Sequence, residues 1–167
     1  MKKYELTEET VTVYGKTLYR IRAVRDFGSV KTGEFGGYIE KEENLSHFDN
    51  AWVFGNAWVF GNARVYDDAW VCGDAKVYGD AWVSGNAEVF NTRHFFVQGP
   101  IGSRNGFITF YRTKDNTVEV RCGCFSGSLQ KFVDRVEETH GGSRYEKEYK
   151  LAAELAKVCI RLEGESR

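Results

Sequence analysis

The sequence predicts a mainly β fold. A short parallel β-helix of hexapeptide repeats is expected over 44–91, an N-terminal β-hairpin cap over 1–43 and a small α+β unit over 92–167. Three observations carry this. Residues 50–91 read NAWVFG NAWVFG NARVYD DAWVCG DAKVYG DAWVSG NAEVFN, seven consecutive hexads without a gap. Ala and Val recur in every hexad, from Ala51/Val53 to Ala87/Val89. The flanks lose this period and carry hairpin and helix patterns instead. A fixed short period sustained this long marks a repeat architecture.

One hexad shows the physics. Trp52-Val53-Phe54 is aromatic and β-branched, which suits a strand. Side chains alternate across a strand, so Val53 faces one way and Trp52 and Phe54 the other. Gly55-Asn56 supplies the corner, because both residues tolerate positive φ. Ala57 then faces inward where only a small side chain fits. Stacked Val and Ala rows make a narrow apolar core. A stack of hairpins competes with this reading, since Gly-Asn also marks hairpin turns. Strands in a six-residue hairpin repeat would be too short to hold register.

The N-terminal segment has two strand-like runs, Thr10–Tyr14 and Thr17–Ala23, joined by Gly15-Lys16. Tyr19, Ile21 and Ala23 make the better core face of the second run. Gly36-Gly37-Tyr38-Ile39 leads into the repeats, with an imperfect coil from Asn44-Leu45. An atypical terminal coil is what an end cap requires.

With three hexads per coil, residues eighteen apart stack. Trp52, Phe54, Trp70 and Phe90 then share one face, and Trp58, Phe60 and Tyr78 the second. Tyr66 and Trp82 share the third with Arg64 and Ser84. If Val points in, these aromatic side chains point out, and exposed aromatic patches mark interfaces. Trp52, Phe54, Trp58, Phe60, Trp70 and Trp82 are the expected interface residues. Two outcomes stand side by side: covering by the flanking segments, or a homo-oligomer.

After Thr92 the chain reads as three strands and two helices. His94–Gln98, Phe107–Arg112 and Thr117–Arg121 are the strands. The first helix is capped by Ser126 or Ser128 and carries Leu129, Phe132, Val133 and Val136 at helical spacing. His140-Gly141-Gly142 ends it. A second helix over about 143–160 buries Tyr145, Tyr149, Ala152, Ala153, Ala156 and Cys159/Ile160. The polar tail Glu163–Arg167 is expected to fray.

Composition narrows the function classes. Lys and Arg number 23 against 24 Asp and Glu, for a net charge of −1. That argues against a general nucleic-acid-binding surface. The charge is unevenly spread: residues 44–91 hold two basic and six acidic side chains, residues 92–167 thirteen and ten. An anion should therefore meet the C-terminal part. No apolar run approaches the roughly 18 residues of a membrane span. The N-terminus lacks the apolar stretch of a leader peptide, so a cytoplasmic location with reduced Cys72, Cys122, Cys124 and Cys159 is expected. The three histidines, His47, His94 and His140, are scattered, so neither a metal nor a cofactor is expected.

The strongest candidate constellation lies in the C-terminal unit. Ser103, Arg104 and Asn105 offer a hydroxyl, a guanidinium fork and an amide on a Gly-rich loop. Cys124, Phe125, Ser126 and Ser128 place donors at a helix start. An Arg fork and a helix N-terminus both suit phosphate. A turn at Lys114–Asn116 is expected to bring the two segments together as one anion pocket, with Arg104 making the charged contact. No catalytic residue is assigned.

The V-x-G-N/D-A-x pattern of Val53 to Asn86 resembles the left-handed hexapeptide-repeat family, which includes many acyltransferases. The left hand of the β-helix is implied by that resemblance alone, as is a side-by-side trimer. The whole plan, from Gly36-Gly37-Tyr38-Ile39-Glu40 through the hexads to Gly102-Ser103-Arg104-Asn105 and Cys122-Gly123-Cys124-Phe125, resembles hexapeptide-repeat proteins encoded by phages and prophages. This likeness implies an accessory role such as counter-defence. Three functions are expected in order. The first is a non-catalytic oligomeric protein that sequesters a phosphorylated small molecule such as a nucleotide signal. The second is an acyl-coenzyme A-dependent acyltransferase with His47 or His94 as base. The third is a scaffold or inhibitor that meets a host protein through its aromatic face. The hexads hold no histidine and no loop excursion, which counts against the second.

Overall fold

The computed structural model describes residues 1–165, so the last two residues of the expected polar tail lie outside the described residues. The chain divides into two compact units, Met1–Thr92 and a second from Arg93 onward.

In the first unit, β1 (Tyr4–Val13) and β2 (Lys16–Ala23) pair antiparallel. Their turn, Tyr14-Gly15, has φ of 51° and 77°, the two left-handed residues that a tight hairpin turn uses. Strand β3 (Phe35–Ile39) pairs antiparallel with β2. Ile21 and Ala23 are buried, as their parity predicts, while Tyr19 stays half exposed. Leu18, of the opposite parity, is buried as well, because Val13 and Phe60 pack against it. The hairpin is therefore covered on both faces.

The hexads form seven two-residue strands: β4 (Trp52–Val53), β5 (Trp58–Val59), β6 (Arg64–Val65), β7 (Trp70–Val71), β8 (Lys76–Val77), β9 (Trp82–Val83) and β10 (Glu88–Val89). They pair in parallel eighteen residues apart: Trp52 with Trp70, Trp70 with Glu88, Trp58 with Lys76, and Arg64 with Trp82. Every Ala and Val of the repeat is buried. Gly55, Gly61, Gly73, Gly79 and Gly85 sit at positive φ at the corners, and Asp67 takes that place at φ 56°.

The expected fold class is nonetheless corrected. The strands fall into several small sheets, in the orders β10-β7-β4, β6-β9 and β1-β2-β3-β5-β8, the last mixing antiparallel and parallel pairs. Among the described residues no sheet closes or runs on as a solenoid. With the two helices of the second unit, the protein is a mixed fold and not a mainly β, left-handed β-helix. The reason is local. Each two-residue strand ends at a sharp corner, so consecutive hexads fall into different sheets. The eight- and ten-residue strands of the hairpin, joined through β3 to β5, dominate the largest one.

Strand β3 crosses the first hexads closely. A Cβ added to Gly36 would lie 2.5 Å from the Val53 carbonyl oxygen, and one on Gly37 2.5 Å from that of Ala57. Only glycine permits that approach.

The second unit is an antiparallel meander, β11 (Phe95–Ile101), β12 (Gly106–Arg112), β13 (Val118–Cys122) and β14 (Phe125–Ser128), followed by α1 (Leu129–His140) and α2 (Arg144–Cys159). Strand β14 was not expected: its Ser and Gly read as a helix lead-in, yet Cys122 pairs with Phe125 and Glu119 with Ser128. Ser128 caps α1 by accepting from the Lys131 N–H at 3.2 Å. Ile108, Phe110 and Val120 of the sheet meet Phe132 and Val136 of α1 and Ala152, Ala153, Ala156 and Ile160 at α2.

Candidate functional site

The seven expected pocket residues are not gathered around Arg104. Ser103, Arg104 and Asn105 form the exposed β11–β12 turn, with Asn105 at φ 49°. Cys124, exposed, lies at the β13–β14 turn on the same end of the sheet, next to Phe125. Ser126 and Ser128 run back along β14, opposite Arg121 and Glu119. Glu119 pairs with Tyr111, five residues up β12 from Gly106. At ~3.3 Å per residue that places Ser128 about 16 Å along the strand from the turn. The helix N-terminus and the Arg104 turn thus occupy different ends of the sheet. The turn also holds its own anion: the Gly102 N–H donates to Glu148 Oε2 at 2.7 Å. The Gly102 N–H is therefore already paired within the second unit.

The six expected interface residues divide too. Trp52 is 0% exposed, set edge-on against Phe27 at 5.1 Å and Tyr4 at 6.1 Å between ring centres. Phe60 is 6% exposed under Val13 and Leu18, and stacks on Tyr78. These two cannot line an interface, because the N-terminal hairpin covers them. Phe54, Trp58 and Trp70 are half-buried. Trp82, at 37%, is exposed.

Trp82 belongs instead to a polar groove of about 310 Å³ in the first unit, lined by Lys41, Glu43, Asn62, Ala63, Arg64, Asp80 and Trp82. One wall comes from the repeats. Strands β6 and β9 pair Arg64 with Trp82, and the Arg64 guanidinium lies 5.7 Å from the indole centre. The floor is the corner row, where Asn62 Nδ2 donates to Asp80 Oδ1 at 3.1 Å. The other wall is the 3-10 turn Glu42–Asn44 and its preceding Lys41.

Asn44 fastens that second wall. It is fully buried, and its Nδ2 donates to the carbonyls of Gly61 at 3.1 Å and Ala63 at 2.8 Å. Its Oδ1 accepts from the Lys41 N–H at 2.9 Å. Glu40 adds a tie, accepting from the Gly61 N–H at 2.7 Å and from Lys16 Nζ at 2.8 Å. The Lys16 bond is the main cause that holds the Glu40 carboxyl below its ordinary range. Lys41 and Glu43 are therefore exposed side chains on an anchored backbone.

Sequence reasoning placed Arg64 and Trp82 on one face but assigned Arg64 no role. The available signal was the arginine in NARVYD where two preceding hexads carry tryptophan. Lys41, Glu43, Asn62 and Asp80 were missed. Their convergence depends on Asn44 reaching seventeen and nineteen residues onward.

The three histidines sit in packed surroundings. His47 Nδ1 accepts from the Lys3 backbone N–H at 3.1 Å, which puts the imidazole proton on Nε2, facing Glu42 Oε2 at 3.6 Å. Its one lone pair is occupied. Burial pushes its pKa down, against the pull of Glu42. The ring stacks on Tyr4 at 4.2 Å. His94 is buried. His140 packs against Tyr145 and Tyr149.

Among the described residues no two cysteines form a disulfide. Among the described residues no group of three or more His, Cys, Asp or Glu side chains is placed to hold a metal ion. No helix among them is long and apolar enough to cross a membrane. No protein-family model matches the chain, and no curated protein matches it significantly. The likeness to hexapeptide-repeat proteins therefore rests on the sequence motifs alone.

Proposed function

We propose that this chain is a non-catalytic binding protein that holds a small phosphorylated molecule in the groove between Lys41 and Trp82. The observation that carries the reading is the Arg64 guanidinium over the Trp82 ring, in a groove that Lys41 also lines. Two cations on opposite walls can clasp one anionic group, and an arginine fork suits phosphate. The occupied lone pair of His47 and the burial of His94 support binding over acyl transfer. Sequestering such a molecule in the cytoplasm is the role we assign. The phage-type resemblance of the overall plan is the ground for proposing counter-defence as its setting.

The test is calorimetry of the whole chain with ribose 5-phosphate and nucleoside monophosphates, beside mass spectrometry of small molecules released by heating. Phosphate-bearing ligands should bind the wild type and bind the Lys41→Ala, Arg64→Ala double variant at least 30-fold more weakly. Equal affinity in both proteins would remove the groove as the site.

A further inference from the structure

We infer that the groove selects a nucleotide whose base edge is rich in N–H donors, guanine being the type case. This rests on the groove reading proposed above and adds the other half of the ligand. Several lining residues have no use for a bare phosphate. Trp82 is 37% exposed beside Arg64 and offers a flat apolar surface. Bases stack on such rings, and an arginine alongside reinforces the stack. Glu43 and Asp80 bring negative charge into the same lining. Two carboxylates weaken a site for phosphate alone, so the geometry points to a ligand with a donor-bearing part as well.

Each carboxylate has capacity to spare. Asp80 Oδ1 accepts from Asn62, which leaves Oδ2 for a ligand. Glu43 is exposed on the wall that Asn44 anchors. An ionised carboxylate only accepts hydrogen bonds. Guanine presents N1–H and the N2 amino group side by side, a two-donor match for one carboxylate. Adenine presents the N1 lone pair at that position and is repelled. Uracil flanks its N3–H with two carbonyl oxygens and is also disfavoured. A polar match of this kind discriminates, since the wrong base edge sets a lone pair or a carbonyl against the carboxylate and leaves it unpaired. The groove volume, about 310 Å³, is at the small end of ligand sites, which span ~300–1,000 Å³, and suits one mononucleotide.

The experiment is calorimetric titration of the full chain with GMP, AMP and ribose 5-phosphate, repeated in Glu43→Gln, Asp80→Asn and Trp82→Leu. GMP should bind about 10-fold or more tightly than AMP. At least one of the two carboxylate variants should reduce that ratio to about 2-fold or less. Trp82→Leu should weaken both nucleotides by about 10-fold and leave ribose 5-phosphate unchanged. Circular dichroism of each variant checks the fold, and all three positions lie on the surface of the groove. If ribose 5-phosphate binds as tightly as GMP, the phosphate reading stands and this inference falls. If AMP matches GMP, or the GMP preference survives in both carboxylate variants, the donor-edge reading falls. If none of the three ligands binds, both readings fall.

Discussion

Lys3 gives the sharpest test of how the first unit holds together. Its side chain is 0% exposed, and Nζ donates to the carbonyls of Ala51 at 2.7 Å, Phe48 at 3.3 Å and Asp49 at 3.5 Å. It also lies 4.8 Å from the Phe27 ring centre. Burial is the main cause that lowers its pKa from 10.5 to about 8; neighbouring Arg25 lowers it further and Asp49 opposes. The sign follows. Below pH 8 both folded and unfolded chains carry the proton, and the folded state bears the full cost of burying the charge. Between pH 8 and 10.5 the unfolded chain binds more protons, so stability rises with pH. The gain works out at roughly 1.3 kcal/mol from pH 7 to 9 and reaches about 2.5 kcal/mol by pH 10. Lys3→Met keeps the length and removes the titration. It also leaves the Ala51 carbonyl without that donor, which costs about 1–3 kcal/mol at pH 7. The assay is urea denaturation of both proteins at pH 7, 8 and 9, followed by tryptophan fluorescence, since Trp52 is buried beside Phe27 and Tyr4. Tyr4, whose pKa burial raises, and Cys122 titrate alike in both proteins, so the difference between the two curves isolates Lys3. Wild type should gain stability on Lys3→Met by about 1.3 kcal/mol between pH 7 and 9. Parallel pH dependence in the two proteins would refute the buried-charge account.

Three further outcomes follow from the same structure. Gly37→Ala should lower stability by about 2–3 kcal/mol or more, because its Cβ would sit 2.5 Å from the Ala57 oxygen and 2.7 Å from Val53 Cγ1; a thermal melt unchanged from wild type would contradict the close crossing of β3. Asn44→Ala removes three hydrogen bonds from a buried site and should cost about 2–4 kcal/mol, while weakening any ligand of the groove through the displaced Lys41 and Glu43; chemical denaturation and titration read the two effects separately. Arg104→Ala should change stability by less than about 0.5 kcal/mol and leave phosphate binding untouched, since its turn is exposed and already satisfied by Glu148; a large loss of affinity would return the site to the second unit.

The inner rows of the repeat were legible in the sequence because Ala and Val recur at fixed places, and burial follows the period. What the repeats do at their margins was not. Trp52 and Trp70 are equivalent by period and pair with each other, yet Trp52 is buried and Trp70 only half-buried. Tyr4 and Phe27, far upstream, make that difference, and no spacing announces them. The same holds for the sheets: β5 joins β3 and so belongs to the hairpin's sheet, a choice made by Gly36 and Gly37 crossing the first hexads. Strand β14 was hidden by its composition. Gly123 and Gly127 read as loop and helix lead-in, but pairing with β13 outweighed propensity.

Arg104 and Arg64 contrast an arginine with promising neighbours in sequence and one that lines the proposed groove. Arg104 sits among Gly, Ser and Asn, residue types that suit phosphate, but Glu148 already fills the turn's N–H and Ser128 is carried away along β14. Arg64 has unremarkable sequence neighbours. It gains a ring from the hexad eighteen residues on, a lysine and a carboxylate from a turn held by Asn44, and a corner amide and carboxylate from Asn62 and Asp80. The repeat supplies the flat wall and the non-repeating segment supplies the opposing charges. A repeat alone presents the same row again and again, and recognition of one molecule needs an asymmetry. Here that asymmetry enters where the cap meets the repeat, so the groove, and not the regular face, is where binding should be sought.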